Sequence, residues 1–455
     1  MSVRPYLDIA FDRDGDADMA ELHRLLRLDV TDLVMFAHGW NNCRATARLV
    51  HSGFFAPFPA LPGPGVRLGY AGIGWPSMRF RDEPVPWAGT GPASGGGAGA
   101  ARDGGAGAAL DAGTREALGL FFPGHRDTVA RLARLLEERP ASGAAFAEFG
   151  GLARRLAEVP AGGLEGCFAD DLPRDEQGPP ALLYEDTLTL CRIFALALGA
   201  AEPADLAGLT PGSLRDSPED AWRGAKELLR QTAYSALKRR AGTVGELGLG
   251  RLLGQLARAG PGVRVHLVGH GQGARLVAFA LRGLPDGARN VKSVTLLQGA
   301  FSHYAFAPDL PHAAQNWGVL RDLQQRVDGP VVACHSRYDS ALGVLYPLAS
   351  RLAGEYGEYG RRRTGGRYGT DGGGALGVDE RWRALGHDGF RAVRPAAVRL
   401  TLARALERGL PASGCVSVDV SAVVRRGGPP SGAHGDIRHP ELARLVVAAG
   451  RIGKG

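Results

Sequence analysis

The five residues Gly269-His270-Gly271-Gln272-Gly273 constrain this chain more than any other stretch. Val263 to Gly269 (VRVHLVG) before them is a short apolar, β-branched run that reads as a buried strand, and Ala274 to Leu284 after them has helical spacing. A strand that enters a helix through so tight a turn brings backbone against backbone, and side chains at its first and last positions would clash. That accounts for glycine at 269 and 273. The middle residue, Gly271, is then held strained and exposed over the helix N-terminus.

The same alternation recurs along the chain. Val30 to Ala37 (VTDLVMFA), Val66 to Ile73, Val291 to Leu297 and Val331 to Cys334 are predicted strands. Val416 to Val424 alternates valine with polar residues, as a partly exposed strand toward the sheet edge would. Helices are expected over Ala45 to Val50 and from Pro440 to Ala448, with Pro440 suited to a first turn. About His125 to Arg258 reads mainly as helix, notably Leu182 to Leu198 and Ala221 to Leu256, with a loop from Phe168 to Pro180. From Thr90 to Ala109 nearly every residue is Gly, Ala, Ser or Pro, too few large apolar side chains to offset the entropy of ordering, so a flexible insertion is expected. The chain therefore divides into a first core half (1–89), a flexible Gly/Ala-rich insertion (90–110), a helical insertion (111–220) and a second core half (221–455). The insertion either caps the core or packs on it as a plain extension. The fold class is α/β, with a mostly parallel central sheet.

Composition narrows the function. The 455 residues are 44% hydrophobic and 22% charged, a globular balance, and the 68 glycines and 29 prolines follow no Gly-X-Y period. Apolar runs such as Ile193 to Leu198 fall far short of the ~20 residues of a membrane span. Asp8, Asp12, Asp14, Asp16 and Asp18 stand where a signal peptide would be apolar, so no membrane span and a cytoplasmic location are expected. The net charge is +7, yet only four basic residues are lysine. Arg, Ala, Gly and Pro all have GC-rich codons, so the excess of arginine implies no nucleic-acid partner. The densest run, Arg361 to Arg363 with Arg367, reads as a solvated loop. Cys43, Cys167, Cys191, Cys334 and Cys415 are scattered, without Cys-x-x-Cys or nearby histidine, so reduced, mostly buried thiols and no metal site are expected. No glycine-rich loop has a P-loop or dinucleotide pattern, so no cofactor is implied.

The turn at 269–273 resembles the Gly-x-Ser-x-Gly nucleophile elbow of the α/β-hydrolase family. The likeness takes in the strand Val263 to Val268, both outer glycines, His270 and the following helix, and extends over about residues 28–80 and 220–450. It departs at the nucleophile, where Gly271 replaces serine. His38-Gly39-Trp40 looks like the family's oxyanion loop. Asp339, in His335-Ser336-Arg337-Tyr338-Asp339, and His434, in Gly432-Ala433-His434-Gly435-Asp436, follow predicted strands in the order elbow, acid, base that the family requires. The resemblance implies that Asp339 accepts the imidazole N–H and fixes its tautomer, that His434 is the base, and that the N–H groups of Trp40 and Gln272 are oxyanion donors.

Each residue also has a plainer reading. Asp339 would cap the segment from Ser340, His434 would order its loop, and Asp436 is the rival partner for the imidazole. His38 would order its own loop, and His270 would pack. Ser77, Ser302 and Ser336 are hydroxyls outside any Gly-flanked turn, and Cys334 reads as buried strand. Three functions remain: a pseudo-hydrolase binding a small, acyl or apolar, ligand; an enzyme in which His434 and Asp339 activate water without a covalent intermediate; and an inactive variant of a serine ester hydrolase.

Overall fold

The computed structural model describes residues 1–17, 19–63, 65–81, 107–158, 171–172, 185–206, 217–353 and 380–453. Eight strands make one sheet: β1 (Tyr6–Ala10), β2 (Asp32–Ala37), β3 (Leu68–Gly74), β4 (Arg264–His270), β5 (Val291–Leu297), β6 (Pro330–His335), β7 (Val398–Thr401) and β8 (Gly414–Asp419). Their order is β1-β3-β2-β4-β5-β6-β8-β7, and every pair is parallel. A parallel sheet needs cover on both faces, and the central strands are apolar on both, as β2 (DLVMFA, buried throughout) illustrates.

The helices supply that cover. α1 (Met19–Leu26) precedes β2, and α2 (Arg44–Phe55) joins β2 to β3. Between β3 and β4 come α3 (Ala112–Phe121), α4 (Arg126–Glu138), α5 (Gly143–Glu158), α6 (Thr187–Ala197), α7 (Pro218–Thr243) and α8 (Gly250–Ala259), the last two joined by a π-helical turn, Val244–Leu249. α9 (Gln272–Gly283) follows β4, α10 (Tyr346–Ala353) follows β6, α11 (Leu402–Arg408) joins β7 to β8, and α12 (Pro440–Gly450) comes last. The starts of the insertion helices are set locally. Asp111 accepts Thr114 N–H, Asp186 accepts Thr189 N–H, and Ser217 accepts Asp220 N–H ahead of Pro218. On one face Leu267 and Val294 of the sheet share a continuous core with Phe149, Phe194 and Trp222 of the insertion. On the other, Phe36, Val268 and Val418 pack with α2, α11 and α12. No helix among the described residues is long and apolar enough to cross a membrane.

Several expectations need correction. The segment Val416 to Val424 is not a partly exposed edge strand: the strand spans Gly414–Asp419, is buried, and has β7 outside it. Its polar Ser417 points into protein, where the hydroxyl accepts Phe390 N–H at 3.0 Å. Strands β1 and β7 were not read from the sequence. The Gly/Ala-rich insertion at 90–110 lies outside the described residues except at 107–110, where Ala108 and Leu110 are buried in the core. Of the loop expected from Phe168 to Pro180, only Asp171 and Leu172 are described, both buried. The arginine run at 361–367 and Cys167 also lie outside the described residues.

Candidate functional site

The order in which successive strands are added to the parallel sheet reverses between β2 and β4. The link from β2 leads to β3 on one side, and that from β4 leads to β5 on the other. At such a switch point the loops diverge and leave a crevice beyond the carboxyl ends of the strands. The loops flanking it are His38-Gly39-Trp40 after β2 and the glycine turn after β4.

The turn is as tight as the sequence requires. A Cβ at Gly269 would lie 2.3 Å from the Gly273 carbonyl oxygen, and one at Gly273 would lie 2.2 Å from that of Ala37. Gly271 has φ 56° and ψ −117°, a conformation strained for any residue with a side chain. Its N–H donates to Leu297 at 3.0 Å, and its carbonyl accepts Ala300 N–H at 3.0 Å. The bend is thus pinned to the end of β5.

The structure brings Asp339 and His434 to this bend. His434 Nδ1–H donates to Asp339 Oδ2 at 2.8 Å, with both residues buried. The other carboxylate oxygen of Asp339 accepts Leu342 N–H at 3.0 Å, so this residue both caps and orients. A Cβ built on Gly271 would lie 3.0 Å from His434 Nε2 and 3.7 Å from Gly39 Cα. The imidazole therefore reaches across to position 271, and the loop after β2 closes the opposite side. Asp436 does not share in this: it accepts the N–H groups of Arg425 and Arg426 at 3.1 and 3.0 Å and pairs with His439 at 2.9 Å.

The backbone N–H groups of Trp40 and Gln272 meet no acceptor among the described residues. The Gln272 side chain is fully buried, with neither amide atom hydrogen-bonded. His38 Nδ1–H donates to Gly39 O at 2.8 Å, and its ring stacks on Trp75, whose Nε1–H donates to His38 O at 2.9 Å. Burial lowers the His38 pKa to about 4, with the Gly39 bond opposing, so the ring is neutral.

Two supports of the site were not read from sequence as such. His270 Nε2–H donates to His434 O at 2.7 Å, and burial, then the neighbouring His434, lower its pKa to about 3. Gln298, at φ 46° after β5, donates from Nε2 to Ala433 O at 2.8 Å and His434 O at 2.9 Å. A polar residue directly after a buried parallel strand was the one available signal for Gln298.

The alternative nucleophiles are engaged elsewhere. Ser77 Oγ donates to Asn42 O and Ser336 Oγ to Val424 O, each at 2.6 Å. Ser302 is fully buried, its Oγ accepting Tyr304 N–H at 3.1 Å. Cys334 lies within β6, where burial pushes its thiol up to about 12. Cys43 differs: it is exposed at the start of α2, and its pKa is lowered although burial opposes the shift. Hydrogen bonds from Thr46 and Ala45, and the charge of Arg79, favour the thiolate. Iodoacetamide at neutral pH is therefore expected to alkylate Cys43 before Cys191, Cys334 or Cys415, as peptide mass mapping would read. Equal or slower modification of Cys43 would contradict this.

A cavity of about 1480 Å³ opens above the bend, bounded by Trp40, His270, Ala300 and His434 near its floor and by α7 and the loop 426–440 on its walls. No group of three or more His, Cys, Asp and Glu side chains among the described residues is arranged to hold a metal ion. In comparison with known proteins, the chain matches no family model, no curated protein and no solved structure.

Proposed function

We propose that this chain is an α/β-hydrolase-type protein that binds a small molecule over its glycine turn and forms no covalent acyl intermediate. The observation that carries the reading is the imidazole of His434, oriented by Asp339 at 2.8 Å and facing a position that has no hydroxyl to deprotonate. The N–H groups of Trp40 and Gln272 support binding of a carboxylate or polarised carbonyl. Without the serine, the oxyanion donors and binding alone would supply only the ~10³ to 10⁴-fold acceleration typical of a triad lacking its nucleophile.

A second reading has its own support. With Nδ1–H committed to Asp339, Nε2 carries the lone pair and points at position 271, where a water would stand in the place of a side chain. His434 would then be a general base. Replacing His434 by alanine separates the two readings: binding alone leaves ligand affinity nearly intact, whereas base catalysis loses a measurable turnover.

A fluorophosphonate probe is expected to leave the native chain unlabelled, and stoichiometric labelling at any serine would sink the noncovalent reading. The Gly271→Ser variant is expected to become labelled and to cost about 1–3 kcal/mol, because a side chain enters at positive φ and its Cβ presses on Nε2. A folded but unlabelled variant would mean that the dyad is not poised as in the hydrolases.

A further inference from the structure

We propose that the cavity over the bend is a site for a small polyanion, a phosphate-bearing molecule whose charged end is gripped by arginines while its other end lies against His270 and His434. The proposal rests on the reading that this cavity is the ligand site.

Three separate parts of the chain send cations to the cavity wall. Arg79 and Arg81 come from the segment after β3, and Arg426 and Arg438 from the loop that carries His434. Arg223, Lys226 and Arg230 come from α7, spaced by three and four residues and so on one helical face. Seven basic side chains thus line the described wall against two acidic ones, Glu227 and Asp436, and Arg223 also pairs with Asp220 at 3.3 Å. Both acids are already engaged. Glu227 accepts from Arg230 at 2.7 Å and from Gln231 at 2.5 Å, and Asp436 is held by the backbone of its own loop and by His439.

α7 explains how such a wall is built. One face, with Trp222, Ala225, Leu228 and Leu229, is part of the core. The other is polar yet barely reached by solvent: Lys226 is 8% exposed and Arg230 6%. Arg230 pairs with Glu227 at 2.7 Å, and Lys226 donates to Gly107 O at 3.2 Å. A concave wall of low polarisability focuses the field of its cations on whatever enters. Guanidinium groups present paired N–H donors that match phosphate oxygens. The cavity volume exceeds the ~300–1,000 Å³ usual for ligand pockets, which leaves room for a sizeable organic portion behind the charged group.

Inorganic pyrophosphate, titrated into the full chain by calorimetry with glycerol as the uncharged control, tests the assignment. Pyrophosphate is expected to bind and to raise the melting temperature, whereas glycerol does neither. The double variant Arg223→Gln/Arg426→Gln changes exposed side chains that the fold does not need, and is expected to bind at least about tenfold more weakly, as loss of charge-assisted hydrogen bonds implies. Arg404→Gln/Arg408→Gln, two exposed arginines of α11 outside the cavity, is expected to bind as the native chain does. Equal loss in both double variants would reduce the effect to non-specific surface charge and overturn the site, as would absence of binding at millimolar pyrophosphate. A succinate titration that binds as tightly as pyrophosphate would overturn the assignment to phosphate. The outcomes are separable from those of the broader reading. Fluorophosphonate labelling of the native chain would defeat the noncovalent reading and leave the anion site standing, whereas silent pyrophosphate with a labelled Gly271→Ser variant would defeat the anion site alone.

Discussion

Replacing Asp171 by asparagine is expected to lower the unfolding free energy by about 3–5 kcal/mol, the cost of removing one partner from a buried ion pair. This carboxylate lies where the insertion meets the sheet. Its Oδ2 is 2.7 Å from Lys238 Nζ on α7, and its Oδ1 is 3.1 Å from Arg275 Nε on α9. Ser302 N–H and the Tyr346 hydroxyl donate to it as well, at 2.9 and 3.1 Å. Burial raises its pKa, but the charges of Lys238 and Arg275 outweigh burial and hold the carboxyl below its ordinary value. Asparagine has the same shape and no charge, so the loss reads the electrostatics and leaves packing aside. Urea unfolding at neutral pH measures it. A loss below about 1 kcal/mol, the scale of an exposed pair, would show that this cluster does not bind the insertion to the core.

The second large effect is with pH. His38 and His270 are neutral in the fold, with pKa values near 4 and 3, against about 6.5 in an unfolded chain. Between those values the unfolded chain binds more protons than the native one, so stability falls as the pH falls. The contribution is fully present above pH 6.5, and at pH 4 each ring has withdrawn about 3 kcal/mol. The two losses are not strictly additive, because each histidine lies in the field of the other. His51, also held well below its ordinary value by burial, acts in the same direction. Urea midpoints are expected to decline steeply from pH 6.5 to 4, and a His38→Gln variant to decline less. A flat profile over that range would mean that these rings are hydrated or charged in the native state.

How far the sequence disclosed this molecule depended on how local each signal was. The run from Val263 to Leu284 contained its own explanation, because strand period, glycine spacing and helix period lie within some twenty residues. Asp339 and His434 were legible from their order and from the strands before them. β7 was not, since its four residues (VRLT) are mostly exposed and carry no buried apolar run. β1 (YLDIA) is half-buried, with Asp8 interrupting its apolar pattern. In β8 the alternation was real but its cause was misread, since Ser417 faces inward and is satisfied by a backbone N–H rather than by water. Gln298 and His270 support the imidazole loop from more than a hundred residues away, which no local pattern encodes. The cavity arginines were hidden by composition: in a chain this rich in arginine, the six on one concave wall looked like the rest.

The pairing of β2 with β4 sets Asp32 beside Arg264, 232 positions further along. Closing a loop of that length costs about 5 kcal/mol of chain entropy by the logarithmic rule, before any contact compensates. That junction is a seam between two portions of the polypeptide, and the crevice lies directly over it. Neither portion alone possesses the pocket: Gly39 arrives with one, Gly271 and His434 with the other. The pocket should therefore take shape only once the seam has zipped shut, and a kinetic trap that leaves it open would yield a chain rich in native helix yet without that crevice.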